Sequence, residues 1–169
     1  MRDPARPAAA GAALAAPQLR LTVVDADRHA GMPARATLRR WIVAALREGA
    51  AARSQAPAAT LSVAFVGAAA GRRLNHEFRG RDYATNVLTF AYEQDPEVLA
   101  DIVLCVPVLR REAREQGKSL RRHLAHLVVH GVLHAIGYDH ESERDAQRMQ
   151  QLESRILAQL RYPDPCGQE

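Results

Sequence analysis

The sequence predicts an α+β fold: one domain in which a small mixed sheet of about four strands is covered by helices, and a central buried helix carries a stripe of histidines. Three observations lead there. Short β-branched, alternating runs all fall before residue 107. From Pro107 onward the pattern is helical almost to the end. A length of 169 residues also suits a single hydrophobic core.

The elements follow in order. Residues 19–24 place Leu21, Val23 and Val24 in an alternating run, a strand. Leu38, Trp41, Ile42, Ala45 and Leu46 mark one face of a helix over 36–50. Residues 60–66 (Thr-Leu-Ser-Val-Ala-Phe-Val) form a second strand, and 68–78 a short helix closed by Arg79-Gly80. Two further strands, 87–92 and 101–106, flank a turn at 93–97. A helix over 108–116 stops at Gly117, the next is capped by Ser119 and stops at Gly137, and a third covers 141–160.

Composition narrows the function classes. Hydrophobic residues make up 47% and charged residues 25%, which excludes a chain disordered throughout. No run of 18 apolar residues exists, so no membrane partner is expected. Cys105 and Cys166 are far apart and fit neither a disulfide scaffold nor a Cys-based zinc site. Residues 1–17 are Ala/Pro-rich without a signal-peptide core, so a disordered tail, a domain over 18–162, a frayed end at 163–169 and a cytoplasmic protein are expected. The net charge of +4 is almost wholly arginine, Lys118 being the only lysine. From Arg110 to Arg122 six basic residues face two acidic ones, an excess equal to that of the whole chain. Arg72, Arg73, Arg79 and Arg81 make a second basic group. A run of charge is by default a solvated helix face, but two such segments bordering one cleft would draw phosphates into it.

The chemistry concentrates in His123-Leu-Ala-His126-Leu-Val-Val-His130-Gly-Val-Leu-His134-Ala-Ile-Gly137-Tyr138-Asp139-His140. On a helix the first four histidines fall within an arc of about 80°. Apolar residues cover the rest of the circumference, so the stripe faces an interior or a cleft floor. A divalent metal satisfies several buried imidazoles at once. His130 and His134, four apart, can take adjacent tetrahedral positions on zinc, and Gly137 turns the chain so that His140 takes the third. Three nitrogen ligands leave a fourth position open, the catalytic rather than the structural arrangement. His123 and His126 are expected to line the cleft or support the ligands. The spacing also matches the metzincin proteases, but Gly131 stands where those enzymes carry the Glu that acts as base.

The run from His130 to His140 resembles the signature of the bacterial YbeY family of endoribonucleases and rRNA maturation factors. Leu74-Asn75-His-Glu-Phe78-Arg79-Gly80-Arg81-Asp82-Tyr83-Ala84-Thr85-Asn86-Val87-Leu88-Thr89-Phe90 and Asp101-Ile102-Val103-Leu104-Cys105 are similar to two further blocks of that family. Ala100, Thr89 and Ala91 depart from its usual Gly, Ser and Pro. The resemblance implies a zinc metalloprotein acting on single-stranded RNA. It further implies maturation of the 3′ end of 16S rRNA and ribosome quality control, with ribosomal RNA, the small ribosomal subunit and ribosome-assembly proteins as partners. By position, His130, His134 and His140 would hold one zinc ion and Arg79 would act in cleavage, its planar guanidinium suited to two phosphate oxygens. A ribosome assembly factor with a largely structural zinc is the alternative, and a peptidase a third class that Gly131 argues against. Spacing does not rank Asp139 against other sources of the general acid.

Overall fold

The computed structural model describes residues 16–51 and 58–162. The expectations for Cys166, for most of the Ala/Pro-rich tail and for residues 163–169 lie outside them. Four strands, β1 (Leu19–Val24), β2 (Ala58–Val66), β3 (Val87–Glu93) and β4 (Glu97–Cys105), form one sheet in the order β1-β2-β4-β3. Neighbours β1 and β2, and β2 and β4, run parallel, while β3 joins β4 as an antiparallel edge strand. The helices are α1 (Arg35–Ala51), α2 (Ala68–Arg79), α3 (Val106–Glu115), α4 (Leu120–Ala135) and α5 (Glu143–Gln159).

Strand alternation decides where the core lies. In β2, Ala59, Leu61, Val63 and Phe65 are buried, and in β4 so are Val98, Ala100, Ile102 and Leu104. Parallel pairing of Leu61 with Ala100 and Val63 with Ile102 puts these side chains on one face. That face packs against α4, the buried helix expected from its continuous apolar circumference, which α1 and α5 flank in turn. The opposite face is only half-buried and carries polar links between strands: Thr60 Oγ1 donates to Glu97 (2.6 Å), and Ser62 Oγ and Tyr92 OH both donate to Asp101 (2.7 Å each). The helices therefore cover one face of the sheet more completely than the other.

Two strand starts differ from the sequence reading. β4 begins at Glu97, not at residue 101, because residues 97–100 pair with β2 residues 58–61 and Thr60 holds the Glu97 carboxylate. Those residues are modest strand formers; pairing within the sheet overrides local preference. β2 likewise begins two residues early, at Ala58.

Close approach at glycine sets α4 in place. A Cβ built on Gly131 would lie 3.1 Å from Ile102 Cγ2 and 3.2 Å from Thr89 Oγ1, so the α4 backbone sits directly on β3 and β4. The position that a metzincin fills with its glutamate is a contact surface in this fold.

Candidate metal centre

Helix α4 is capped by Ser119, whose hydroxyl accepts a hydrogen bond from the Arg122 N–H (3.2 Å). At its other end Gly137, at φ +97°, takes the left-handed conformation, and Tyr138 N–H donates back to Leu133 O (3.0 Å). Tyr138 OH donates to Gly49 O on α1 (3.0 Å), which anchors the turn. This local geometry returns His140 toward the helix it has just left. His130, His134 and His140 each present one ligand nitrogen, and these atoms lie within 4.8 Å of one another. The structure thus brings together the three histidines that the spacing selects.

The donor set fits a zinc ion. Three imidazole nitrogens suit zinc, and a separation within 4.8 Å requires little movement to reach Zn–N distances of about 2.0–2.1 Å. Burial, aided by the neighbouring His130 and His140, pushes the His134 pKa down to about 4. That ring is neutral at pH 7, the form that binds metal.

Sequence reasoning missed Glu153. It sits on α5, is almost fully buried, and one carboxylate oxygen meets His130 Nδ1 (2.5 Å) while the other meets His126 Nε2 (3.1 Å). Burial by itself would raise its pKa, but the hydrogen bonds from His126 and His130 outweigh that and hold it at about 2. An ionised carboxylate on Nδ1 fixes the His130 ring and leaves Nε2 for a ligand. A signal was present: Glu153 falls at i+4 from Met149 and i−3 from Ile156, on the apolar face of α5. A carboxylate at a core-facing position calls for partners.

His126 therefore supports the cluster through Glu153. His123 does not line the cavity beside it: buried, it meets Glu112 (2.7 Å), which in turn accepts from Asn86 Nδ2 (3.1 and 3.2 Å). Asp139 turns its carboxylate to the His140 backbone N–H (2.6 Å). Arg79 ends α2, where Gly80 at φ +66° closes the helix and Asn75 Nδ2 donates to Tyr83 O (2.7 Å) to hold the following loop. Its guanidinium is exposed and does not line the cavity that His130 and His140 border. Arg72 pairs with Asp82 through two bonds of 2.8 Å. Among the described residues no hydrogen bond or ion pair engages the guanidinium of Arg73, Arg79 or Arg81. Of the basic run 110–122 only Lys118 lines the cavity; Arg110 donates to Ala30 O (2.6 Å) and Arg121 to Tyr162 OH (3.2 Å).

Known proteins resemble this chain over most of its length. The family model described as endoribonuclease YbeY matches residues 24–161. A protein named endoribonuclease YbeY from Aromatoleum aromaticum is 50% identical over 154 residues, covering 89% of this chain and 94% of the relative. The protein of the same name from Methylibium petroleiphilum is 47% identical over 165 residues, covering 98% and 99%. The solution structure of the Thermotoga maritima protein TM1509 matches with a TM-score of 0.54 and 25% identity, over 89% of this chain and all of that one.

Proposed function

We propose that this chain, which belongs to the YbeY endoribonuclease family, is a zinc-dependent endoribonuclease that cuts single-stranded RNA. The observation that carries the reading is the cluster of His130, His134 and His140 with Glu153 behind it. In that cluster the three imidazoles would hold one zinc ion, which supplies Lewis-acid chemistry and water activation when bound. The chain's own residues do the rest. Glu153 holds His130 in one orientation, so the cluster needs little reorganisation to receive the ion. Arg79 supplies a guanidinium without an ion-pair partner, which can bond two oxygens of the scissile phosphate and stabilise the charge that develops on them. The half-exposed His140 leaves the cluster open to substrate.

The finer assignment is maturation of the 16S rRNA 3′ end and ribosome quality control in the cytoplasm, with the small ribosomal subunit and its assembly proteins as partners. Support comes from the named relatives together with the basic groups around residues 72–81 and at Lys118. No helix among the described residues is long and apolar enough to cross a membrane.

The test is cleavage of a single-stranded RNA by purified protein, with and without a chelator and with zinc restored. Cleavage abolished by the chelator and recovered with zinc is the expected result. Arg79→Lys should lower cleavage and leave zinc content unchanged. Retained cleavage by a folded, metal-free His130→Ala protein would refute the catalytic role of the metal.

A further inference from the structure

We propose that the cavity beside the histidine cluster binds one unstacked nucleotide of the RNA strand, with Lys118 holding a backbone phosphate and Val87, Leu127 and Met149 flanking the base. This rests on the ribonuclease reading and names the part of the substrate the site receives.

The cavity measures about 550 Å³ and is bordered by His130 and His140 on the metal side. That volume lies within the roughly 300–1,000 Å³ of clefts that take a single small ligand, and a duplex cannot enter it. Its walls come from α4, α5 and the start of β3. Val87, Leu127, Ala146 and Met149 make them largely apolar, which suits the faces of an aromatic base. A base reaches such a pocket only from a strand whose bases can splay out.

Charge in the cavity complements a phosphate. Lys118 is half-buried, and no hydrogen bond or ion pair engages its ammonium among the described residues. Its backbone is fixed: Gly117 turns at φ +63° and Lys118 N–H donates to Ala113 O (2.8 Å), tying the α3–α4 turn down. The one carboxylate on the wall, Glu153, already engages both oxygens with His130 and His126. From the first residue of α4, Leu120, to His130 is ten residues, about 15 Å of helix. Lys118, just before that start, and the metal ligands thus mark two ends of an elongated site, with the apolar walls between them.

Cytidine 5′-monophosphate is the probe, titrated into the full chain by NMR with inorganic phosphate as a second arm, in metal-free and zinc-loaded protein. The nucleotide should bind and shift resonances of Leu127 and Met149, and phosphate alone should bind more weakly. Lys118→Met should weaken nucleotide binding by about tenfold, and Lys118→Arg should retain it. Ala146→Leu, which fills the wall with a good helix former, should weaken binding by tenfold or more. Equal affinity in wild type, Lys118→Met and Lys118→Arg would overturn the proposal, as would phosphate binding as tightly as the nucleotide. The Lys118 pair decides even where Ala146→Leu fails to fold. Protein that cuts RNA but does not bind the nucleotide here overturns this site alone. Protein that binds it but leaves RNA intact overturns the ribonuclease reading instead.

Discussion

Replacing Glu153 by glutamine should weaken zinc binding by about 10- to 100-fold, the usual cost of losing a group that orients a ligand. The structure says why so small a change matters. The carboxylate accepts from two rings at once, His130 Nδ1 at 2.5 Å and His126 Nε2 at 3.1 Å. A glutamine side chain has one acceptor oxygen, and its other end is a donor. If the oxygen keeps His130, the amide NH₂ faces the N–H of His126. His126 relieves that clash only by moving its proton to Nδ1, a buried nitrogen that has no hydrogen-bond partner. An unsatisfied buried donor costs about 1–3 kcal/mol, equivalent to roughly five- to 150-fold in an equilibrium constant. Competition with a chromophoric zinc chelator measures the affinity, and circular dichroism establishes that the variant is folded. A folded Glu153→Gln protein with wild-type zinc affinity would refute the assignment of Glu153 as the residue that positions His130.

Three further outcomes are expected. Gly131→Ala should destabilise by about 1–2 kcal/mol in urea unfolding, because its methyl group meets the buried Ile102 at 3.1 Å and the partly buried Thr89 at 3.2 Å and that overpacking exceeds the helix-propensity gain of alanine. The metal-free protein should lose stability as pH falls from about 6.5 to about 4, since His134 takes up a proton less readily folded than unfolded; the loss, discounted for partial exposure, is about 1–2 kcal/mol by denaturant titration at each pH. Binding of single-stranded RNA should weaken with salt, and serine at both Arg73 and Arg81 should flatten the log–log slope by about 1.4, measured by fluorescence anisotropy.

Elements whose reason is local were legible in the chain. The histidine spacing and Gly137 located the three clustered rings because an α-helix followed by a left-handed turn sets where each one leaves the backbone. Alternation found β2, whose buried residues are the ones the pattern marks. Features that depend on a distant partner were not legible. Residues 97–100 become strand only by pairing with β2, and Glu153 becomes a ligand support only because α5 lands against α4. The basic run at 110–122 is legible as charge but not as a place: its charges are adjacent in sequence, while Arg110 and Arg121 bond to other parts of the molecule and Lys118 lines the cavity.

The turn at Gly137 also determines what a bound ion would do mechanically. Two of the three clustered histidines lie on α4 and the third just beyond it, while Glu153 reaches back from α5 to the first of them. An ion held there closes a short loop from His130 to His140 inside the longer loop that Glu153 closes from residue 153. Closing a loop that already exists in the folded chain removes freedom mainly from the unfolded one. Occupancy would therefore be felt along α5, which itself carries none of the three histidines, as slower amide exchange and slower proteolysis of that helix. The last helix then serves as the gauge of whether the ion is in place.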